Sequence, residues 1–448
     1  MSNAHKAAGN TRRIDKTPEQ VKKAWTMYDW ANSVYSLVIT TAIFPIFFNA
    51  LTSERNEAGE IINDTVIFWG RELINTQLYS YVLGASFLFV IIASPLLSGM
   101  ADVTGRKLQM MKIFCYSGAL GCISLYFFNP AHLEWSMAAL FLANIGFWGS
   151  LGFYNAFLPE IAPREEHDKL SAKGFAMGYV GSVLLLLVCL ALIMGVGSFM
   201  TPWAFVLVAV WWITWSQTTF RTLPSNHLNH KITRDLFGRG FRELRQVARD
   251  MAGRKDMIRF LWAFFILSMA LQTIMLMASS FGIKEVNLKD NELIVAIIAV
   301  QLLSIPGAFF VSWVSSKIGN IKTLMGCVVI WAGVCVYTYG LVNDVNGFYV
   351  AAGIIGFMMG GTQSLNRSSY SKIIIPNKIF ILNQFFHRHC FNYILIIQCQ
   401  LPHFSGSPRC CREAQNKLII QQTGFKNIIV ILQMCLINDH QINLIFNP

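Results

Sequence analysis

The sequence predicts an all-α integral membrane protein of two helical halves, the second shorter than the first. Three observations predict it. The 448 residues are 54% hydrophobic and only 13% charged, whereas soluble globular proteins carry about 25% charge. Nine long stretches contain no Asp, Glu, Lys or Arg. A short basic loop pattern occurs twice, at matching places in the two halves. Composition alone excludes a disordered chain and argues against an ordinary soluble enzyme. The net charge of +12 needs no nucleic-acid partner, because basic residues collect on the cytoplasmic loops of membrane proteins.

A bilayer core about 30 Å thick takes about 20 apolar residues per helix. The charge-free stretches are residues 30–53, 73–101, 113–133, 135–159, 174–220, 260–283, 293–316, 323–343 and 345–366. The fifth is long enough for two spans and is interrupted by Gly195, Gly197 and Pro202. Ten spans are therefore expected, six in residues 25–220 and four in residues 260–373. Continuous apolar runs of this length suit helices, which satisfy their own backbone groups in lipid.

Basic residues assign the sides. Residues 1–24 form a basic N-terminal segment. Together with Arg106, Lys107, Lys112, Arg164, Lys169, Lys173, Lys317 and Lys322 they fall on one side, and the loop 221–259 adds more. The other side has few basic residues and holds Glu54, Glu57, Glu60, Asp64 and Glu72. The bias predicts a cytoplasmic N-terminus. Within the loop, Phe237, Phe241, Leu244, Ala248 and Met251 recur at helical spacing, with Arg239, Arg242, Arg245 and Arg249 on other faces. This pattern predicts a basic amphipathic helix at the inner membrane surface.

The repeated loop reads Ser98-Gly-Met-Ala-Asp102-Val-Thr-Gly105-Arg106-Lys107 in the first half. In the second it reads Ser312-Trp-Val-Ser-Ser-Lys317-Ile-Gly319-Asn320. Each follows the second span of its half. Parallel repeats of this kind build one class of transporters.

The first of these loops resembles the inner-loop signature of the major facilitator superfamily, with Asp102, Gly105, Arg106 and Lys107 on its positions. Ser98 and Val103 depart from it. Further stretches narrow the resemblance: Tyr28-Asp-Trp-Ala-Asn-Ser-Val-Tyr35, Phe153-Tyr-Asn-Ala-Phe-Leu-Pro-Glu-Ile161, Leu170 to Ser182, and Gly360-Gly-Thr-Gln-Ser-Leu-Asn-Arg367. Over residues 20–373 the chain resembles the bacterial branch related to the fungal vacuolar, autophagy-related amino-acid effluxers. The resemblance implies the major-facilitator fold, twelve helices, alternating access about a central cavity and coupling to an ion gradient. Consistent with this, the sequence has no Gly-x-x-x-x-Gly-Lys-Ser/Thr phosphate loop.

Residues 374–448 break the pattern. They contain one Ala, one Val and no Trp, yet five of the ten Cys and four of the nine His. No apolar run there is long enough to span. The expectation is a frameshift near residues 370–378 that replaces the last two helices, and with it poor folding of the chain as written. A divergent soluble tail is the alternative. The tail residues His387, His389, Cys390, Cys399, His403, Cys410 and Cys411 mimic zinc ligands in composition but not in spacing. No metal or other cofactor is expected. Cys115, Cys122, Cys189, Cys327 and Cys335 lie within apolar spans as small packing residues.

The candidate site residues follow from polar groups inside the spans. Asp29 has two readings. It is a coupling-proton carrier, since an ionisable group in a span marks function, or a helix N-terminal carboxylate open to inner water. Asn32, Tyr35 and Thr41 follow on the same helix. Asn144 and Asn155 lie in the fourth, Gln272 in the seventh, Gln301 in the eighth, and Gln363 and Asn366 in the tenth. Such amides bind a polar solute or bond helices together. Asp102, Gly105, Arg106 and Lys107, with Glu160 and Arg164, form a gating set or serve only to fix topology. Gly174, Gly178 and Gly181 have the spacing of close helix contact.

The function expected is a secondary transporter of a small polar solute, an amino acid among the candidates, in a bacterial inner membrane. Its partners are that solute, a coupling ion such as the proton, and the bilayer, with the chain a monomer. The alternatives are a sugar, nucleoside or drug transporter of the same fold, or a transport-inactive sensor. No constellation of catalytic groups marks an enzyme.

Overall fold

The computed structural model describes residues 16–55, 61–224, 249, 255–286 and 288–373. The amphipathic helix expected in the middle loop and the anomalous tail lie outside the described residues, apart from the isolated Arg249.

The first span is three pieces in line. Helix α1, Pro18–Val34, starts with Thr17 and Gln20 exchanging backbone and side-chain hydrogen bonds, a reciprocal cap that satisfies two orphan amides. A π-helical run, Tyr35–Ile43, follows, and then α2, Phe44–Thr52. Pro45 dictates the change. It has no N–H, and its ring clashes with the carbonyl four residues back. The wider run lets the Phe44 amide bond Ile39 O instead. The Thr40 and Thr41 hydroxyls both donate to Ser36 O, at 2.6 and 2.9 Å.

The remaining helices are α3 Asn75–Thr104, α4 Lys107–Ser124, α5 Leu133–Asn155, the short α6 Leu158–Ile161, α7 His167–Val196 and α8 Thr201–Thr222. In the second half come α9 Lys255–Glu285, α10 Asp290–Ile318, α11 Asn320–Leu341 and α12 Val345–Ile373. Among the described residues, nine helical segments are long and apolar enough to cross a membrane. Helix α9 occupies the expected seventh span, with Ile258–Ser268 as its apolar part. The long fifth stretch divides as expected. Gly197 breaks it at φ 137°, a short 3-10 turn follows, and Pro202 sits in the first turn of α8.

The two repeated loops both turn on a glycine at positive φ, with different ψ. Gly105 closes α3 at φ 67° and Gly319 closes α10 at φ 88°, in the left-handed region that side chains resist. Within two residues the next helix begins.

The polar loop between the first and second spans folds into two small hairpins that the sequence analysis does not anticipate. Strand β1, Glu54–Arg55, pairs with β2, Ile61–Asn63. Strand β3, Thr65–Phe68, pairs with β4, Arg71–Ile74. Near them, at the end of the first span, Phe44, Phe47, Phe48, Tyr79, Phe128 and Phe205 form a continuous aromatic cluster. Helix α7 joins the halves. It packs on α1 within the first half and on α10 and α12 of the second.

Candidate functional site

The bundle is closed at the N-terminal end of the first span by ion pairs that cross between the halves. Asp29 lies on α1 and Arg367 near the end of α12. Arg367 Nη1 is 2.9 Å from Asp29 Oδ2, and both side chains are about 95% buried. The same oxygen accepts from the Tyr154 hydroxyl at 2.8 Å. Arg367 is fixed from α7 as well. Its Nε donates to Ser171 Oγ at 2.9 Å and its Nη2 to Ser171 O at 2.7 Å. Ser171 Oγ in turn donates to Ser364 O. A buried ion pair is tolerated when further hydrogen bonds satisfy its remaining groups, and α5 and α7 supply them here.

Aromatic rings enclose the guanidinium. It stands 4.1 Å from the centroid of Phe175, 4.8 Å from Trp25 and 5.6 Å from Tyr154. Such contacts favour a desolvated cation. Trp25 and Tyr154 are themselves stacked, and the indole donates to Tyr154 O. Gly174 makes room for the pair. A Cβ there would collide with Asp29 Oδ2 and lie 2.7 Å from Arg367 Nη2.

A second crossing lies beside the first. Asp168, in the first turn of α7, accepts from Ser315 of α10 at 2.7 Å, Asn320 of α11 at 2.9 Å and Lys372 of α12 at 2.7 Å. Asn320 also bonds Ser369 and Lys372. The neighbouring His167 bridges Ala162 O and the Ser371 hydroxyl. One carboxylate of the first half therefore holds three helices of the second.

The structure decides between the two readings of Asp29 in one respect. The carboxylate is 3% exposed, so it is not open to water in this conformation. Asp29 is covered by Tyr154 of α5, by α7 at Gly174 and by Arg367 of α12, which a helix-end argument cannot foresee. The other candidates separate into groups. Tyr35 donates to Asn144 Oδ1 at 3.4 Å, and Asn144 donates to Ser86. Gln363 accepts from the Tyr179 hydroxyl at 2.9 Å. Asn32 Nδ2, Asn155 Oδ1 and Asn366 Oδ1 are buried with no hydrogen-bond partner among the described residues. These three amides stand on α1, α5 and α12, each within three residues of Asp29, Tyr154 or Arg367. The side chains of Gln272 and Asp102 are not among those described.

In the predicted gating set, Lys107 pairs with Glu160, which ties the start of α4 to α6 inside the first half. Gly105 turns the chain and Arg106 leads into α4. Arg164 sits in the 3-10 turn before α7. A further pair, Lys22 with Glu166, lies at 2.5 Å, also inside the first half. Arg367, Asp168, Lys372 and Ser171 are site residues that the sequence did not single out. Two basic residues, Arg367 and Lys372, among Ser, Asn and Tyr at the end of an otherwise charge-free helix were the available signal. Among the described residues no group of His, Cys, Asp and Glu could hold a metal ion.

A model of the family described as "Vacuole effluxer Atg22 like" matches residues 17–378. The chain belongs to the Atg22-like family. It is 26% identical over 365 residues to the uncharacterized MFS-type transporter YxiO of Bacillus subtilis (strain 168), covering 79% of this chain and 81% of that protein. It is 23% identical over 443 residues to autophagy-related protein 22 of Saccharomyces cerevisiae (strain YJM789), covering 82% of each. Among solved structures it is similar to the human organic anion transporter MFSD10, with a TM-score of 0.67 and 10% identity over 94% of this chain and 99% of that one. The major facilitator transporter FucP in its outward conformation gives 0.64 and 12%, over 93% and 97%. At these identities the solved structures show the fold. This Atg22-like chain is a multi-pass membrane protein of the major facilitator superfamily, a transporter and not an enzyme. The family match ends at residue 378, inside the interval where the composition changes.

Proposed function

We propose that this Atg22-like protein is a secondary active transporter that moves a small polar solute by alternating access across a bacterial inner membrane. In this reading the two halves rock against each other, the N-terminus is cytoplasmic, and the described conformation is closed on the cytoplasmic side. The observation that supports it is the Asp29–Arg367 pair, which joins the first and tenth spans and is enclosed by Trp25, Tyr154 and Phe175. Protonation of Asp29 removes half of the pair's charge. That makes Asp29 both the removable counter-charge of the closed end and the group that couples opening to a proton. Asn32, Asn155 and Asn366 supply uncharged donors and acceptors to a solute once that end opens. Tyr35, Asn144 and Gln363 line the path further along, and Gln272 on α9 remains a candidate. Gly105, Arg106, Lys107, Glu160 and Arg164 stiffen the cytoplasmic loops of the first half against which the second half closes, and Asp102 remains a candidate for the same set.

The test is transport in liposomes of the purified chain, comparing wild type with Asp29→Asn. The proposal expects counterflow of the solute to persist and proton-driven accumulation to be lost. Unchanged accumulation would remove Asp29 from coupling. Absence of counterflow with every amino acid, sugar, nucleoside and organic ion tried would overturn transport of a small polar solute.

A further inference from the structure

We propose that the hairpin of β3 and β4 is a membrane-interface anchor, seated in the headgroup layer at the end of the bundle opposite the ion pairs. In register, Val66 faces Leu73 and Ile67 faces Glu72. Val66 is buried in the core of the first half, and Leu73 and Phe68 pack on that core. The other face of the hairpin points away from the protein. A hairpin with one face in water alternates apolar inward and polar outward. This one does not. Ile67 on the outer face is 67% exposed, and Ile74 shares that face. Trp69 at the turn is 77% exposed, with φ 49°. On the adjoining hairpin Ile62 is exposed as well.

The occupant of that face follows from its height. The Trp69 amide donates to Glu134 Oε1 at 3.4 Å. The next residue, Trp135, is 80% exposed in the first turn of α5, which is a candidate membrane span. The turn of the hairpin is therefore level with the point where a spanning helix enters the bilayer. Trp is favoured at that level because its ring is apolar and its N–H needs a polar partner. Arg71, two residues on and exposed, adds a cation for a lipid phosphate. The exposed apolar surface of the hairpin continues the lipid-facing surface of the bundle, and the structure assigns it to phospholipid.

The experiment places p-benzoylphenylalanine at position 69 of the full chain in vesicles of phosphatidylethanolamine and phosphatidylglycerol. Irradiation is followed by mass analysis. Phospholipid adducts are expected at position 69 and none at the exposed polar position Asn63 of the neighbouring hairpin. Adducts no more frequent at 69 than at 63, or adducts to a second copy of the chain in place of lipid, would overturn the anchor. A second measurement uses brominated phospholipids to quench tryptophan fluorescence. Trp69→Phe is expected to lose part of the quenched emission. An unchanged quenched fraction contradicts the proposal.

Discussion

The two ends of the first span are held by different physics. At its start the contacts are polar and pass between the halves: Asp29 to Arg367, and nearby Asp168 to Ser315, Asn320 and Lys372. At its finish they are aromatic and stay within the first half, where Phe44 touches Phe48, Tyr79, Phe128 and Phe205. A buried ion pair is strong only while both partners are charged and in contact; water can solvate either charge and a proton can neutralise the carboxylate. Aromatic packing has no such substitute, because opening it returns apolar surface to solvent. The polar contacts of the first end therefore join the halves, while the aromatic packing of the second belongs to the first half alone.

The largest expected effect comes from removing one charge of the closing pair. Arg367→Met leaves Asp29 buried without its partner, which costs about 3–5 kcal/mol of the closed form. Spin labels at the exposed Gln20 and Lys322, one in each half, should report a longer distance. An unchanged distance distribution would mean that the pair does not hold the halves together. Phe44→Ala tests the other end. Removing a fully buried Phe costs about 3–5 kcal/mol and should lower the unfolding temperature while the label distance stays as it is. A changed distance there would erase the contrast between the ends.

Gly174→Ala is expected to be milder. The new methyl must displace Asp29 or Arg367, at about 1–3 kcal/mol, and should move the distance part of the way that Arg367→Met does. The smallest effect belongs to Lys107→Gln. Its pair with Glu160 is partly exposed and lies within one half, so at most about 1 kcal/mol is lost. The distance should not change. A shift as large as that of Arg367→Met would place this loop pair in the closure between halves.

The spans were legible in the sequence because lipid excludes charge. The stretches free of Asp, Glu, Lys and Arg reappear as helices, and the break at Gly197 and Pro202 divides the longest of them. The paired loops were legible because a positive φ selects glycine, and Gly105 and Gly319 both have one. The site was legible by halves. Asp29 stood out as a carboxylate at the edge of a span. Arg367 stands at the edge of one too, where a basic residue ordinarily marks topology, and nothing local says that it faces Asp29. Asp168, Asn320 and Lys372 were hidden for the same reason, since their meeting depends on how the second half docks on α7. The hairpins were hidden because their strands are too short to show alternation.

The π-helical run Tyr35–Ile43 has a consequence for heredity. Each of its turns holds one more residue than the helices on either side, so α1 and α2 are out of phase. That offset lets α1 face α7 and α8 while α2 faces α3. Loss of a single codon within the run is absorbed when the run tightens into α-helix, because the missing residue and the narrower turn shift the phase in opposite senses. The aromatic cluster then keeps its partners. A codon lost from a regular helix has no such slack and rotates everything beyond it by about 100°, so this stretch is where the first span tolerates a change of length.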